Sequence, residues 1–164
     1  IHGRTRKQMY KGNADWTLIK AVKDNPRMYI PVFGNGDIDS PEKAKLMRDK
    51  FGLDGAMVGR ASIGNPWIFN EIKHYLQSGE YLDRPSMQER VDCCKQHLEH
   101  SINWKGEVLG ITEMKRHYSN YFKGIPDFKS YRIKMVTSNN QKEILKTLDK
   151  VALEFKNYSF SEIY

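Results

Sequence analysis

The chain has 164 residues, of which 39% are hydrophobic and 29% charged, and a formal net charge of +7 at pH 7. That length suffices for one ordinary domain or two small ones, and no stretch is apolar enough to read as a membrane span. The two cysteines, adjacent at Cys93 and Cys94, give neither a disulfide framework nor a metal-binding spacing, and fit a reducing cytoplasm.

The positive charge is uneven. Residues 1–30 carry seven basic against two acidic side chains, residues 31–82 six against seven, and residues 83–164 fourteen against eleven, with the excess concentrated between Glu113 and Lys134. This distribution suits a polyanionic partner, although charge alone does not decide the matter. The chain opens at Ile1 on "IHGRTR", which reads as the end of a strand, so the expectation is a piece of a longer protein.

In chain order, "DWTLIKAVKD" sets Trp16, Ile19 and Val22 at helical spacing, and "MYIPVF" reads as a short buried strand. "DSPEKAKLMRDKFG" offers Ser40 as N-cap, Pro41 at the first helical position and Gly52 as the stop. "DGAMVG" is a second short strand, and "NPWIFNEIKHYLQSG" repeats the pattern with Asn65 as cap, Pro66 first and Gly79 last. Short apolar strands separated by helices predict consecutive β/α units of a parallel sheet or barrel over residues 1–79.

From residue 80 onward the strand signals stop. Ser86 caps a helix to about Trp104, with Val91, Cys94, Leu98 and Ile102 on one stripe. A second helix is expected from about Val108 to Phe122, with Val108, Ile111, Met114, Tyr118 and Tyr121 on its apolar face and Lys115 and Arg116 off it. "KGIPDF" breaks it at Gly124 and Pro126, and a last helix from about Asn140 to Phe155 carries Ile144, Leu148 and Val151. Residues 80–164 therefore predict a small helical bundle, with the tail "KNYSFSEIY" loosely held and without a role.

Two glycine-containing loops follow the predicted strands: Gly34-Asn35-Gly36-Asp37 after "IPVF", and Gly59-Arg60 after "DGAMV". Ordinary turn chemistry explains either loop alone. On successive strands of a barrel such loops open on the same face, where backbone amides and an arginine cradle a phosphate. Aspartate repels an anion, so Asp37 is expected to orient the loop or to bond a ligand hydroxyl. There is no G-x-G-x-x-G, which leaves a dinucleotide fold little support.

Together, "IHGRTRKQMYKGNADW", "IPVFGNGDI" and "DGAMVGRASIGNPWIF" resemble the flavin-dependent tRNA-dihydrouridine synthases, specifically the bacterial nitrogen-regulation-like subgroup. The resemblance runs from Ile1 to about Tyr75 and more thinly through the helical half. It implies the C-terminal part of a TIM-type (β/α)8 barrel binding FMN over residues 1–79, followed by a helical tRNA-binding domain over residues 80–164. It matches Asn35, Gly36 and Asp37 to one flavin-phosphate loop, Gly59 and Arg60 to the other, and His2 to a histidine against the flavin. "KRHYSNYFKGIP" is similar to the family's basic motif, which implies tRNA contacts from Lys115, Arg116, His117 and Lys123. Asn120 stands where members often have tryptophan. Arg4, Arg6 and Lys7, at the barrel mouth, are further candidates for facing the RNA.

The family reaction reduces the C5–C6 bond of a uridine in tRNA, with NADPH reducing the flavin and a cysteine supplying a proton. That cysteine lies upstream of the position matching His2, so no catalytic residue and no metal site are assigned in this chain. Cys94 lies on an apolar helix stripe, where a free cysteine acts as a small buried hydrophobe. The chain by itself is expected to reduce no uridine, and its incomplete barrel to self-associate. An FMN barrel acting on a small molecule and a non-enzymatic RNA-binding module are the alternative readings.

Overall fold

A computed structural model describes residues 1–160, which fall into two compact units. The first comprises Ile1–Ser62 and Pro66–Leu82, the second Ile63–Asn65 and the chain from Asp83 onward.

In the first unit, helix α1 (Thr17–Lys23) precedes strand β1 (Phe33–Asn35), helix α2 (Pro41–Phe51), strand β2 (Gly55–Met57) and helix α3 (Ile68–Ser78). The two strands are parallel, with Phe33, Gly34 and Asn35 opposite Gly55, Ala56 and Met57. On the other side of β1 the chain start also runs parallel: His2 bridges Asn35, the Asn35 amide donates to Ile1 O at 2.8 Å and the Gly3 amide to Asn35 O at 2.8 Å.

The strand expected over "MYIPVF" lies later, beginning only at its last residue. Pro31 has no N–H to give a ladder, and Tyr29 and Ile30 are exposed, so this apolar run approaches the sheet along the surface. Val32 is the member buried in the core, and Met28 packs half-buried against it. There Val32 joins Trp16, Ile19, Ile38, Ala44, Phe51 and Leu53 beneath the strands. Gly34 is dictated by that core. A Cβ there would lie 2.2 Å from the Trp16 ring and 2.5 Å from Leu53.

Helix α2 begins and ends as its sequence signals require: Ser40 accepts from the Lys43 amide at 3.2 Å, Pro41 opens it, and Gly52 closes it at φ +61°. Helix α3 does not. Asn65 is not its cap; the helix starts at Ile68, with no side-chain cap bond at Trp67, and Asn65 is buried within the second unit.

The second unit is helical: α4 (Met87–Lys105), α5 (Glu107–Met114), α6 (Tyr118–Tyr121), α7 (Lys129–Thr137) and α8 (Gln141–Glu154). Ser86 and Glu89 form a reciprocal capping box on α4, and Asn140 accepts from the Lys142 and Glu143 amides at the start of α8. Helix α4 packs against α8, and Val91, Cys94 and Leu98 of the first and Ile144, Leu148 and Val151 of the second are fully buried.

Three expectations change here. The single helix over 108–122 is two, because a turn at Lys115–His117 closes the Met114 carbonyl on the His117 amide at 2.8 Å, a three-residue step that interrupts the α ladder. Val108, expected on the apolar face, is 84% exposed in the first turn after Gly106. Helix α7 has no counterpart among the predicted elements, and the tail, expected to be loosely held, is pinned through residue 160: Tyr158 Oη donates to Gly124 O at 2.8 Å, and buried Phe160 lies 3.9 Å from the Arg90 guanidinium. Residues 161–164 of that tail lie outside the described residues.

Candidate functional site

The first candidate site is built on the turn after β1. Asp37 takes φ +56°, a conformation that aspartate tolerates better than most residues, and this turns its carboxylate back over the loop. Both carboxylate oxygens meet Arg4, Oδ1 with Nη1 at 2.7 Å and Oδ2 with Nη2 at 2.6 Å, a bidentate fork. Oδ2 also accepts from the Ala14 amide at 2.9 Å, and Oδ1 from Arg60 Nη2 at 2.9 Å. The Arg4 hydrogen bond, ahead of the Ala14 amide, holds the Asp37 carboxyl down to about 2.

The two arginines differ in how much they have left to give. The Arg4 side chain is 5% exposed, and its remaining N–H groups reach the carbonyls of Lys11 and Gly12. It is turned into the protein, away from solvent and from any polyanion there. The Arg60 side chain is 57% exposed and spends one nitrogen on Asp37 while lying over the Tyr10 ring at 4.9 Å. Two cations around one carboxylate leave the loop with a local surplus of positive charge, and the exposed cation carries it.

Around this trio the backbone is closely fitted. Gly36, at φ +139°, admits no Cβ, which would lie 2.5 Å from the Ala14 methyl. Trp16 Nε1 donates to Gly36 O at 3.1 Å and fastens the loop to the core. Gly59 is different: a Cβ there would meet nothing within 4 Å, so its backbone faces open space beside Arg60. Asn35 directs its amide to Met57 Sδ at 3.2 Å. His2 is exposed, and its Nδ1 accepts from the Arg4 amide at 2.9 Å, so the neutral ring carries its proton on Nε2. The chain thus brings His2, Asn35, Gly36, Asp37, Gly59 and Arg60 to the β1 and β2 loops of one unit, with Arg4 beneath them and Arg6 exposed on the surface.

The second candidate site lies on the turn between α5 and α6. Lys115 Nζ donates to Asn139 Oδ1 at 2.6 Å, and Arg116 is 71% exposed, 3.7 Å from Glu113, which also pairs with Lys105. Lys123 and Asn120 are exposed. His117 is half-buried: Nε2 accepts from Arg116 Nε at 3.3 Å, while Nδ1 is buried with no hydrogen-bond partner among the described residues. Its ring lies 4.8 Å from His97, whose Nδ1 is 3.1 Å from Tyr121 Oη. Burial, with the neighbouring imidazole and Arg116 adding repulsion, holds His117 below the usual histidine range; burial, His100 and Arg116 do the same to His97.

Sequence reasoning did not find Tyr10, the platform under Arg60, or the exposed cations Lys129, Arg132 and Lys134 of α7. The signals were present: Tyr10 is an aromatic within the basic run "RKQMYK", and Phe128, Tyr131 and Met135 keep a helical stripe. Cys94 is buried and its thiol is pushed up by burial, as a packing role requires. Among the described residues no cluster of His, Cys, Asp or Glu is arranged to hold a metal ion, and no helix is long and apolar enough to cross a membrane.

The family model for dihydrouridine synthase (Dus) matches residues 1–157, so the chain belongs to that family. It is 42% identical over 132 residues to the probable tRNA-dihydrouridine synthase of Rickettsia conorii, an overlap covering 80% of this chain and 39% of that protein. To tRNA-dihydrouridine synthase B of Pseudomonas putida it is 42% identical over 132 residues, again 80% of this chain and 39% of the other. The counterpart from Shewanella oneidensis is 46% identical over 121 residues, 74% of this chain and 37% of its own length. The chain thus spans about two-fifths of the length of these relatives.

Proposed function

We propose that this chain is a portion of an FMN-dependent tRNA-dihydrouridine synthase, in which residues 1–79 supply the closing β/α units of a (β/α)8 barrel and residues 80–164 a tRNA-binding helical domain. The parallel pairing of β1 with β2 and of His2 with Asn35 supports the first part, and the basic turn at Lys115–His117 supports the second. The observation that carries the reading is the Asp37 carboxylate already neutralised by Arg4, next to an Arg60 that is mostly exposed and a Gly59 backbone with nothing over it.

That donor set fits a phosphate monoester. Arg4 and Asp37 hold the loop, Arg60 offers its remaining N–H groups to the anion, and Gly59 permits close approach of the backbone. The carboxylate does not repel the anion as an isolated aspartate would, because its charge is already matched. Tyr10 keeps the guanidinium plane fixed, and His2 presents Nε2–H on the same rim. Bound there, FMN would supply the hydride transfer that saturates the C5–C6 bond of a tRNA uridine, with NADPH as the reductant. Lys115, Arg116, His117 and Lys123 would meet the RNA backbone. Arg6 is a further candidate for that contact, while Arg4 serves the flavin loop instead.

Neither cysteine is offered as the proton donor, since Cys94 is buried and Cys93 faces Tyr121 Oη at 3.8 Å on α4. The chain alone is therefore expected to form no dihydrouridine. Exposed Phe33 and Met57 on the strands mark the face that further barrel strands would cover, and on which two copies of this chain would associate. A monomeric mass in light scattering would remove that last element.

The test is a titration with unmodified tRNA at several salt concentrations, with a DNA duplex as comparison. The reading expects tighter tRNA binding that weakens steeply with salt. Equal affinity for the two nucleic acids would reject the helical unit as a tRNA surface.

A further inference from the structure

Between Arg60 and helix α3 the chain makes a detour. The 3-10 turn Arg60–Ser62 belongs to the first unit, the next three residues Ile63–Asn65 pack within the second, and the chain re-enters the first at Pro66. The middle residue of the detour, Gly64, sits at φ +68° and is buried. A Cβ on it would lie 2.6 Å from the Tyr121 nitrogen, 2.7 Å from the Asn120 carbonyl carbon and 2.6 Å from the Asn120 Cβ. Two of those three atoms are backbone, so a side chain cannot be accommodated by a rotamer change. Asn65, next to it, is buried as well. The residue type is thus required twice over, by the backbone conformation and by the close approach to α6.

We infer that Gly64 is a positioning residue for the phosphate loop: Ile63–Asn65 is a strap fixed to α6, and through three covalent links it sets the turn that carries Arg60. The coupling runs along the chain itself. The strap ends where the Ser62 amide closes on Gly59 O at 3.0 Å and Ser62 Oγ closes on the same oxygen at 2.8 Å. A displacement of Gly64 therefore pulls first on the bonds that shape the Gly59–Arg60 turn. Asn120 and Tyr121, which seat the strap, lie three and four residues after His117, at the end of the short helix that follows the basic turn. This inference rests on the assignment of Arg60 as a phosphate ligand.

The test is amide hydrogen exchange on the ligand-free chain in three variants. Gly64→Ala is expected to speed exchange at both Tyr121 and Ser62. Insertion of two glycines between Ser62 and Ile63 leaves the strap seated and should speed exchange at Ser62 alone. Gly52→Ala, at φ +61° with nothing within 4 Å of the added methyl, imposes comparable backbone strain away from α6 and should change neither amide. If Gly64→Ala fails to fold, the insertion variant still decides. Unchanged Ser62 exchange in the insertion variant would overturn the strap.

A second readout separates positioning from general stability. The insertion is expected to reduce the preference for FMN over riboflavin by roughly tenfold, the worth of one charge-assisted hydrogen bond, with riboflavin affinity unchanged. Equal loss for both ligands would mean a merely structural segment. If Arg60→Ala retains the full preference for FMN while Ser62 exchange still responds, the phosphate assignment fails and the strap stands.

Discussion

The two units handle positive charge in opposite ways. In the first, Arg4 and Arg60 converge on one carboxylate, and the more buried of the two is committed entirely to holding the loop. In the second, Arg116 and Lys123 stand in solvent, and burial holds the half-buried imidazoles of His97 and His117 below the usual histidine range. A compact, pre-set cation suits a small phosphate at a fixed position. Spread, exposed cations suit a long polyanion whose backbone is met at many points. The net charge is thus two separate devices with different expected sensitivities to mutation, salt and acid.

The largest effect should come from breaking the first device. Asp37→Asn leaves the nearly buried Arg4 guanidinium without its counter-charge and is expected to destabilise the first unit by about 3 kcal/mol in urea unfolding. Arg116→Ala, removing an exposed cation from the second, should change stability by less than about 0.5 kcal/mol. Comparable losses from both would erase the contrast.

Next in size is the effect on nucleic-acid binding. Replacing Lys115, Arg116 and Lys123 together by alanine should reduce the slope of log affinity for tRNA against log salt by about 2–3. Asp37→Asn should leave that slope unchanged. A slope indifferent to the triple replacement would move the RNA surface elsewhere, with Lys129, Arg132 and Lys134 of α7 as the first place to look.

The smallest effects are in acid. Burial holds His97 and His117 below the usual histidine range, so as pH falls through about 6.5 the unfolded chain takes up protons before the folded one does. The second unit should therefore be at full stability above that pH and lose it progressively below. In the first unit Asp37 ionises at about 2 against 3.8 ordinarily, so its contribution is complete above about 4 and lost as pH falls through about 2. Acid unfolding followed by amide signals from each unit should show the second unit weakening first.

Much of the fold was legible where a local signal is strong. Ser40, Pro41 and Gly52 bound α2, Ser86 opens α4, and the stripe of Ile144, Leu148 and Val151 identifies α8, because caps and periodicity act within a few residues. Failures came where distant partners decide. Asn65 reads as a helix cap, but the close seat of Gly64 on α6 draws it into the other unit. The interruption at Lys115–His117 breaks no composition rule, and α7 has no capping residue at Phe128 to announce it. The loops at Asp37 and Arg60 were legible as a pair, but not that Arg4 reaches across 33 residues to hold Asp37. No local pattern encodes that pairing.

The most direct test of the phosphate loop is an NMR titration of the chain with FMN and, separately, with riboflavin, reading the Gly59 and Arg60 amides and the Arg60 Nε–H. Shifts are expected at all three with FMN, none with riboflavin, and loss of the shift from the Gly59 amide in Arg60→Ala. Equal responses to the two flavins, or silence at Gly59 and Arg60 while other residues move, would contradict the phosphate assignment.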